Sequence, residues 1–392
     1  MSVKAVSSVY GEIKRMLLTY PESNPLPNDI ILQRYFGIFR ALGRNMHYVI
    51  LAYKDAHRNI LNTAKKAGLS KNRITLVTAS TAPVASVREL ISKHSEDSWL
   101  AIVDDPSHSI WAQDAYCVLN DAGGKTIMME PMEFCRYGDH YIAEQIAANT
   151  DIEIETTKYY LEGGNLLCGD DYALIGKDYL HESMTITGES ERKITQNLKK
   201  ALGVNHIVWV GQDRKLKFPL EIYQGEYQPI FHIDMFITLA GKTTQGKELI
   251  LVGDPRLAKK FLGQKPIPTV IANAFDRIAK QLKTDRKLNC EVVRLPLDLW
   301  LDDDSDPSTG TFLTYNNCLI EIYGTQKNVY LPAYGSVSTS SVNRHKLDRE
   351  VKRIFRDELG FKVKMMSGSY HELCKSGGSL HCITKTLNRS KA

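Results

Sequence analysis

Four short stretches of this 392-residue chain set reactive side chains into apolar runs. SIWAQDAY carries Trp111 and Asp114, and YLEGGNLL carries Glu162, Gly163, Gly164 and Asn165. FHIDMF carries His232 and Asp234, and SGGSLHCITKTL carries Gly377, Gly378 and Cys382, with His381 set aside because adjacent strand residues point to opposite faces and it is expected to face away from Cys382. Singly, each has an ordinary structural explanation. Asp114 could cap a turn, the glycines could supply positive φ, and His232 could be a satisfied inward-facing residue. HID fits such an explanation least well. An imidazole and a carboxylate two apart on one strand face the same way, and in an apolar strand both are costly unless paired or used. Together the set holds one thiol, one imidazole and three carboxylates, a constellation for nucleophilic catalysis on a cationic substrate.

A guanidinium suits such a set. It is planar, charged at all working pH values and presents its N–H donors in a fixed fork. Carboxylates grip that fork with paired, charge-assisted hydrogen bonds. Resonance makes its central carbon a poor electrophile, so a thiolate that forms a covalent adduct divides one hard displacement into two easier steps. An imidazole can protonate departing ammonia and then deprotonate the attacking water, and a neighbouring carboxylate raises its basicity and sets its tautomer.

The elements that must position these residues alternate along the chain. Strand patterns cover HYVILAY (47–53), RITLVTAS (73–80), SWLAIVDD (98–105), YALIGKDYL (172–180), HIVWVGQ (206–212), ELILVGD (248–254), CEVVRLPL (290–297), CLIEIY (318–323), NVYLPAYG (328–335) and KVKMMS (362–367). Amphipathic helix patterns cover 54–68, 82–94, 189–204, 269–284 and 347–360. Recurring strand–helix–strand units imply an α/β protein. With no long linker or low-complexity stretch, residues 1–392 are expected to form one domain built from repeated units.

Composition excludes several classes. The chain is 43% apolar and 24% charged, and 50 basic against 45 acidic residues give a net charge of +5. That excess is too mild and too dispersed for nucleic acid. No run of eighteen apolar residues offers a membrane span. The N-terminus lacks a secretory apolar core, and seven cysteines with no CxxC argue against a disulfide framework. A cytoplasmic location is expected.

The four motifs, in order and rough spacing, resemble the guanidino-group-modifying enzymes, and most closely the branch of agmatine deiminase and bacterial peptidyl-arginine deiminase. That branch has W-x-R-D, E-G-G, H-x-D and a Gly-rich I-H-C-I-T near the C-terminus. Here these are WAQD (111–114), EGG (162–164), HID (232–234) and GGSLHCIT (377–384). LKKALGVNHIVWVG (198–211) and TYNNCLIEIYGTQKNVYLPAYG (314–335) are also similar, so the resemblance spans at least residues 98–385. It implies the five-bladed α/β propeller called the pentein, built from ββαβ-type units, with the first 30 or so residues joining the first blade. It implies Cys382 as nucleophile, His232 as general acid and base, Glu162 as partner of His232, and Asp114 and Asp234 as the guanidinium clamp. Gly377 and Gly378 would allow close backbone approach, and Trp111, Gly163, Asn165 and Asn317 would line the substrate pocket. No metal or cofactor is implied. The partner is a small guanidino compound or a protein arginine side chain, and oligomeric state is left open.

The chain departs from the pattern near the pocket. Gln113 replaces the arginine of W-x-R-D, AYCVL follows Asp114 where the family has T-G-P or Y-G-P, and Asn165 replaces a common serine. These changes put agmatine itself in question and leave the core chemistry intact. Arg136 and Arg344 are conceivable partners for a substrate carboxylate. The alternatives are an amidinotransferase or an arginine dihydrolase on the same fold, a non-catalytic arginine-binding protein and, last, a papain-like protease, which has no use for three extra acids. LDDDSDPSTGTF (301–312) spaces its aspartates like a calcium loop, but Pro307 stands where an EF-hand needs glycine and Leu313 where it needs glutamate. His371 and Cys374 match no standard zinc spacing.

Overall fold

The computed structural model describes residues 3–22, 26–43, 45–83, 105–216, 225–300, 310–335, 342–366, 368 and 370–390. The chain runs through β1 (Val3–Ala5), β2 (Ile13–Tyr20), α1 (Asn28–Ala41), β3 (His47–Ala52), α2 (His57–Lys66) and β4 (Ile74–Thr78). It continues with β5 (Cys117–Asp121), β6 (Thr126–Pro131), α3 (Ile142–Asn149) and β7 (Glu153–Thr157). Next come β8 (Leu166–Cys168), β9 (Tyr172–Gly176), α4 (Lys177–Thr187), α5 (Glu191–Leu202) and β10 (His206–Val210). Then follow β11 (Ile237–Lys242), β12 (Glu248–Asp254), α6 (Pro255–Leu262), α7 (Thr269–Thr284), β13 (Cys290–Trp300) and β14 (Thr311–Thr314). The last are β15 (Leu319–Tyr323), β16 (Gln326–Leu331), α8 (His345–Arg353), β17 (Lys362–Met365), α9 (His371–Lys375) and β18 (Lys385–Arg389).

Among the described residues these strands form five sheets, ordered β18-β2-β3-β4, β1-β5-β6-β7, β10-β9-β8, β11-β12-β13-β14 and β15-β16-β17. Each sheet repeats one plan. An antiparallel pair comes first: β18 with β2, β5 with β6, β8 with β9, β11 with β12, β15 with β16. The second strand of each pair then takes a parallel neighbour: β3, β7, β10, β13 or β17. Parallel pairing needs a crossover, and in every sheet one or two helices supply it. The first sheet takes its edge from the far end of the chain, because β18 joins β2, while β1 crosses to pair with β5.

The local sequence accounts for these elements. β12 buries Leu249–Gly253 without a break, the continuous apolar run of a strand covered on both faces. α5 buries Ile194, Leu198 and Leu202 at four-residue spacing and stops at Gly203, whose φ of 64° is the left-handed cap glycine favours. α6 starts on Asp254, whose carboxylate accepts the N–H groups of Arg256 and Leu257, with Pro255 in the first turn. The mixed α/β class is as expected. Two local readings are corrected. YALIGKDYL is strand only to Gly176, and α4 begins at Lys177. FHIDMF is not strand, because a 3-10 turn at Ile233–Met235 precedes β11. The expected helix over 82–94 and strand over 98–105 lie almost wholly outside the described residues, as does most of the 301–312 loop. No helix among the described residues is long and apolar enough to cross a membrane.

Candidate active site

Every site motif sits at the same place in its unit: in the turn just before the first strand of an antiparallel pair. Asp114 precedes β5, Glu162–Asn165 precede β8, His232–Asp234 precede β11, Asn317 precedes β15, and Cys382 precedes β18. Hydrogen bonds join these five turns in a ring. Gly163 N donates to Asp114 O (2.8 Å), and Ile233 N to Asn165 Oδ1 (3.1 Å). Thr314 Oγ1 donates to Met235 O (2.5 Å). His381 N and Cys382 N both donate to Asn317 Oδ1 (2.8 and 3.2 Å), and Gln113 N donates to Cys382 O (3.1 Å). A turn has backbone groups to spare because the ladder has not yet begun, and here they fix one turn to the next.

The glycines are required by this crowding. A Cβ on Gly163 would lie 2.0 Å from Gln113 O and 2.1 Å from Lys385 Nζ, and one on Gly164 would lie 2.5 Å from His232 Nδ1. A Cβ on Gly378 would lie 2.4 Å from Trp111 Cζ3 and 3.0 Å from Cys382 Sγ. Gly377 has a φ of 101°, in the region side chains disfavour.

The five reactive residues come together and are 1 to 4% exposed. His232 Nε2 lies 2.5 Å from Glu162 Oε2, and Tyr179 OH lies 3.0 Å from the same nitrogen. His232 Nδ1 faces Asp114 Oδ1 at 3.7 Å. Tyr160 OH donates to Glu162 Oε1 (2.7 Å), so both oxygens of that carboxylate are engaged. Cys382 Sγ accepts from Asn317 Nδ2 (3.1 Å) and lies 3.8 Å from Asp234 Oδ2. Asp114 Oδ1 and Asp234 Oδ1 are buried with no hydrogen-bond partner. Two such acceptors beside a thiol suit a donor-rich cation, since a buried polar atom left unmade is costly.

Electrostatics follow from this burial. Desolvation, then the charges of Asp234 and Asp114, push the Cys382 thiol well above its ordinary range. Burial opposes charge on His232, but Asp114 and Glu162 outweigh it and raise the imidazole to about 9. Against the upward pull of burial, His232 holds Glu162 down to about 2. Desolvation raises Asp114, opposed by His232 and Arg136.

His381 is a correction. An adjacent strand residue would face away from Cys382, yet His381 Nδ1 lies 2.7 Å from Asp234 Oδ2, the oxygen nearest the thiol. Residues 381–383 form a turn and the strand starts only at Lys385, so alternation does not apply. Asn165 is fully buried and turns its Oδ1 to Gln228 Nε2 and Ile233 N. Trp111 is half-buried against the position of Gly378. Arg136 is at the site: Nη2 donates to Asp114 Oδ2 (2.7 Å) and Nε to Asp139 Oδ2 (2.6 Å), with its side chain 24% exposed. Arg344 is not in this constellation; it is bonded to Asp298 and buried. Sequence reasoning misses Tyr160, Tyr179 and Lys385. Tyr160 stands two residues before Glu162, which is a usable signal, whereas Tyr179 falls in a stretch whose pattern reads as strand. Atoms of Asp114, Glu162 and His232 lie close enough to share an ion, but such an ion would have to displace the protein donors already on Glu162.

The chain matches the model of the Porphyromonas-type peptidyl-arginine deiminase family over residues 44–387. No curated protein matches it in sequence. Solved structures share its fold along nearly the whole length. A candidate peptidyl-arginine deiminase has 14% identity and a TM-score of 0.67, covering 99% of both chains. Agmatine deiminase of C. jejuni, in a cysteine-to-serine variant with substrate bound, has 13% identity and a TM-score of 0.64, covering 100% of this chain and 97% of that one. Agmatine deiminase of Enterococcus faecalis has 15% identity and a TM-score of 0.63, covering 99% and 96%.

Proposed function

The chain belongs to the Porphyromonas-type peptidyl-arginine deiminase family, and from that premise we propose that it is a thiol-dependent deiminase converting a guanidinium to a ureido group and ammonia. The observation that carries this reading is a pair of buried carboxylate oxygens without a hydrogen-bond partner, Asp114 Oδ1 and Asp234 Oδ1, on the two acids whose charges act on Cys382. Arg136 supports it from within, because a guanidinium N–H is already seated on Asp114 Oδ2. We further read the five units, joined turn to turn, as the blades of a five-bladed propeller in one domain spanning residues 1–392.

The steps assign each group. A bound guanidinium offsets the charge of Asp114 and Asp234, which favours loss of the Cys382 proton to solvent. The sulfur attacks the guanidinium carbon, a C–S bond forms, and the C=N electrons move to nitrogen. His232 protonates the leaving nitrogen, the C–N bond breaks, and ammonia departs. Glu162 and Tyr179 hold the imidazole while it changes charge. Water then gives a proton to His232 and its oxygen attacks the same carbon. The C–S bond breaks as the new hydroxyl gives up its proton to solvent, releasing the ureido product and the thiolate. Asn317 Nδ2 donates to the sulfur throughout, and Trp111 packs on the substrate's stem.

Ammonia release and product mass across agmatine, arginine, methylarginines and arginine peptides will identify the substrate. Cys382→Ala and His232→Ala are each expected to abolish release with the fold retained. Full activity in Cys382→Ala would overturn the reading, and an amine-dependent product without ammonia would select an amidinotransferase.

A further inference from the structure

Lys385 is 5% exposed, three residues after Cys382, and bonded to two backbone carbonyls: Gln113 O (3.0 Å) and Tyr116 O (2.7 Å). These carbonyls flank Asp114. Among the described residues no carboxylate is bonded to Lys385; burial pulls its pKa down, opposed through space by Cys117, Asp114, Cys168 and Asp234. A buried ammonium without a bonded counter-charge is expensive, so its retention calls for a use. Gln113 reaches the other way, with Nε2 donating to Gly163 O (2.8 Å). A cavity of about 40 Å³ opens beside both residues, with Gln113, Gly163, His381, Lys385 and Arg389 in its lining, and Arg389 is turned to the carbonyls of Ser8, Gly11 and Ile320. The motif that Gln113 departs from has an arginine there.

We propose that Lys385 is a positioning residue that supplies, from the C-terminal strand, the buried cation missing at position 113. It holds the Asp114 turn against the Cys382 turn and offsets the carboxylates around the thiol. With it, the buried carboxyl groups of Asp114, Asp139, Glu162 and Asp234 are faced by His232, Arg136, His381 and Lys385. The cavity leaves room for a longer side chain at 113, so the charge can be moved back. The proposal rests on the deiminase reading only in taking Cys382 as the reporter.

The test is alkylation of Cys382 by 2-chloroacetamidine, read as the mass of the Cys382 peptide from the full-length protein, over about pH 6 to pH 10, where the labelling rate follows the thiolate fraction. Lys385→Gln removes a cation, so thiolate formation is expected to move to higher pH and neutral-pH labelling to fall about tenfold, the equivalent of one pKa unit. Gln113→Arg combined with Lys385→Gln is expected to restore the wild-type profile, which a packing role alone would not produce. A wild-type profile in Lys385→Gln would overturn the proposal, as would a shifted profile that the double variant fails to correct. If Lys385→Gln does not fold, a folded double variant with a wild-type profile supports the proposal, and one that also fails to fold overturns it. Should the wild type release no ammonia from any guanidino compound, the deiminase reading falls, while a shift and its rescue still establish the role of Lys385.

Discussion

Cys382 and His232 both hold their protons at neutral pH, and the proposed chemistry needs one released and the other kept. The thiol is pushed well up by burial and by Asp234 and Asp114, and the imidazole is set at about 9 by its carboxylates. The reactive form, thiolate with imidazolium, therefore grows as pH rises and is lost again as His232 deprotonates. We predict a bell-shaped kcat/KM with its maximum on the alkaline side of neutrality. A maximum on the acid side would contradict this assignment. The five reactive residues are legible in the sequence because their types are rare in apolar runs. His381 is not, because its direction depends on whether the segment is strand or turn. Nor is Lys385, since a lysine in a terminal strand reads as an exposed side chain until burial is known.

At the level of elements, one position in the repeated unit does the work, the turn before the first strand. Backbone groups are spoken for by the ladder inside a strand, so they are free to bond a neighbouring turn where the ladder has not yet begun. Gly163 is the tightest of these turns. Gly163→Ala would press a methyl against Gln113 O and Lys385 Nζ and is expected to lower stability by about 1–3 kcal/mol or more, with ammonia release falling in the folded fraction. Thermal unfolding with activity measured per folded molecule checks both, and an unchanged Tm would refute the close approach. Long periodic elements such as α7 and β12 are legible to the residue. The turns are not, because a 3-10 turn such as Ile233–Met235 and a short strand have similar composition. α4 is lost for a related reason, as Tyr179 and Leu180 read as a continuation of β9 across Gly176, Lys177 and Asp178.

Across the whole molecule, the last strand β18 joins β2 in one sheet and a ring of hydrogen bonds joins the five turns, so stability and site geometry are linked. Some buried charge serves the frame alone. Arg344 Nε bonds Asp298 Oδ2 (2.8 Å), both nearly inaccessible, with Lys259 Nζ 3.3 Å from the other oxygen. Arg344→Ala would leave Asp298 short of a partner and is expected to cost about 3–5 kcal/mol while leaving the KM of the folded fraction unchanged. A large KM change without a loss of Tm would place Arg344 in substrate binding instead. The central claim concerns the covalent intermediate, and one measurement reaches it most directly: intact mass of the protein after rapid acid quench during turnover of the best guanidino substrate. A mass gain equal to the substrate less ammonia, mapped to Cys382 and absent in Cys382→Ala, is the predicted result. Turnover with no adduct on Cys382, undiminished in Cys382→Ala, would contradict it.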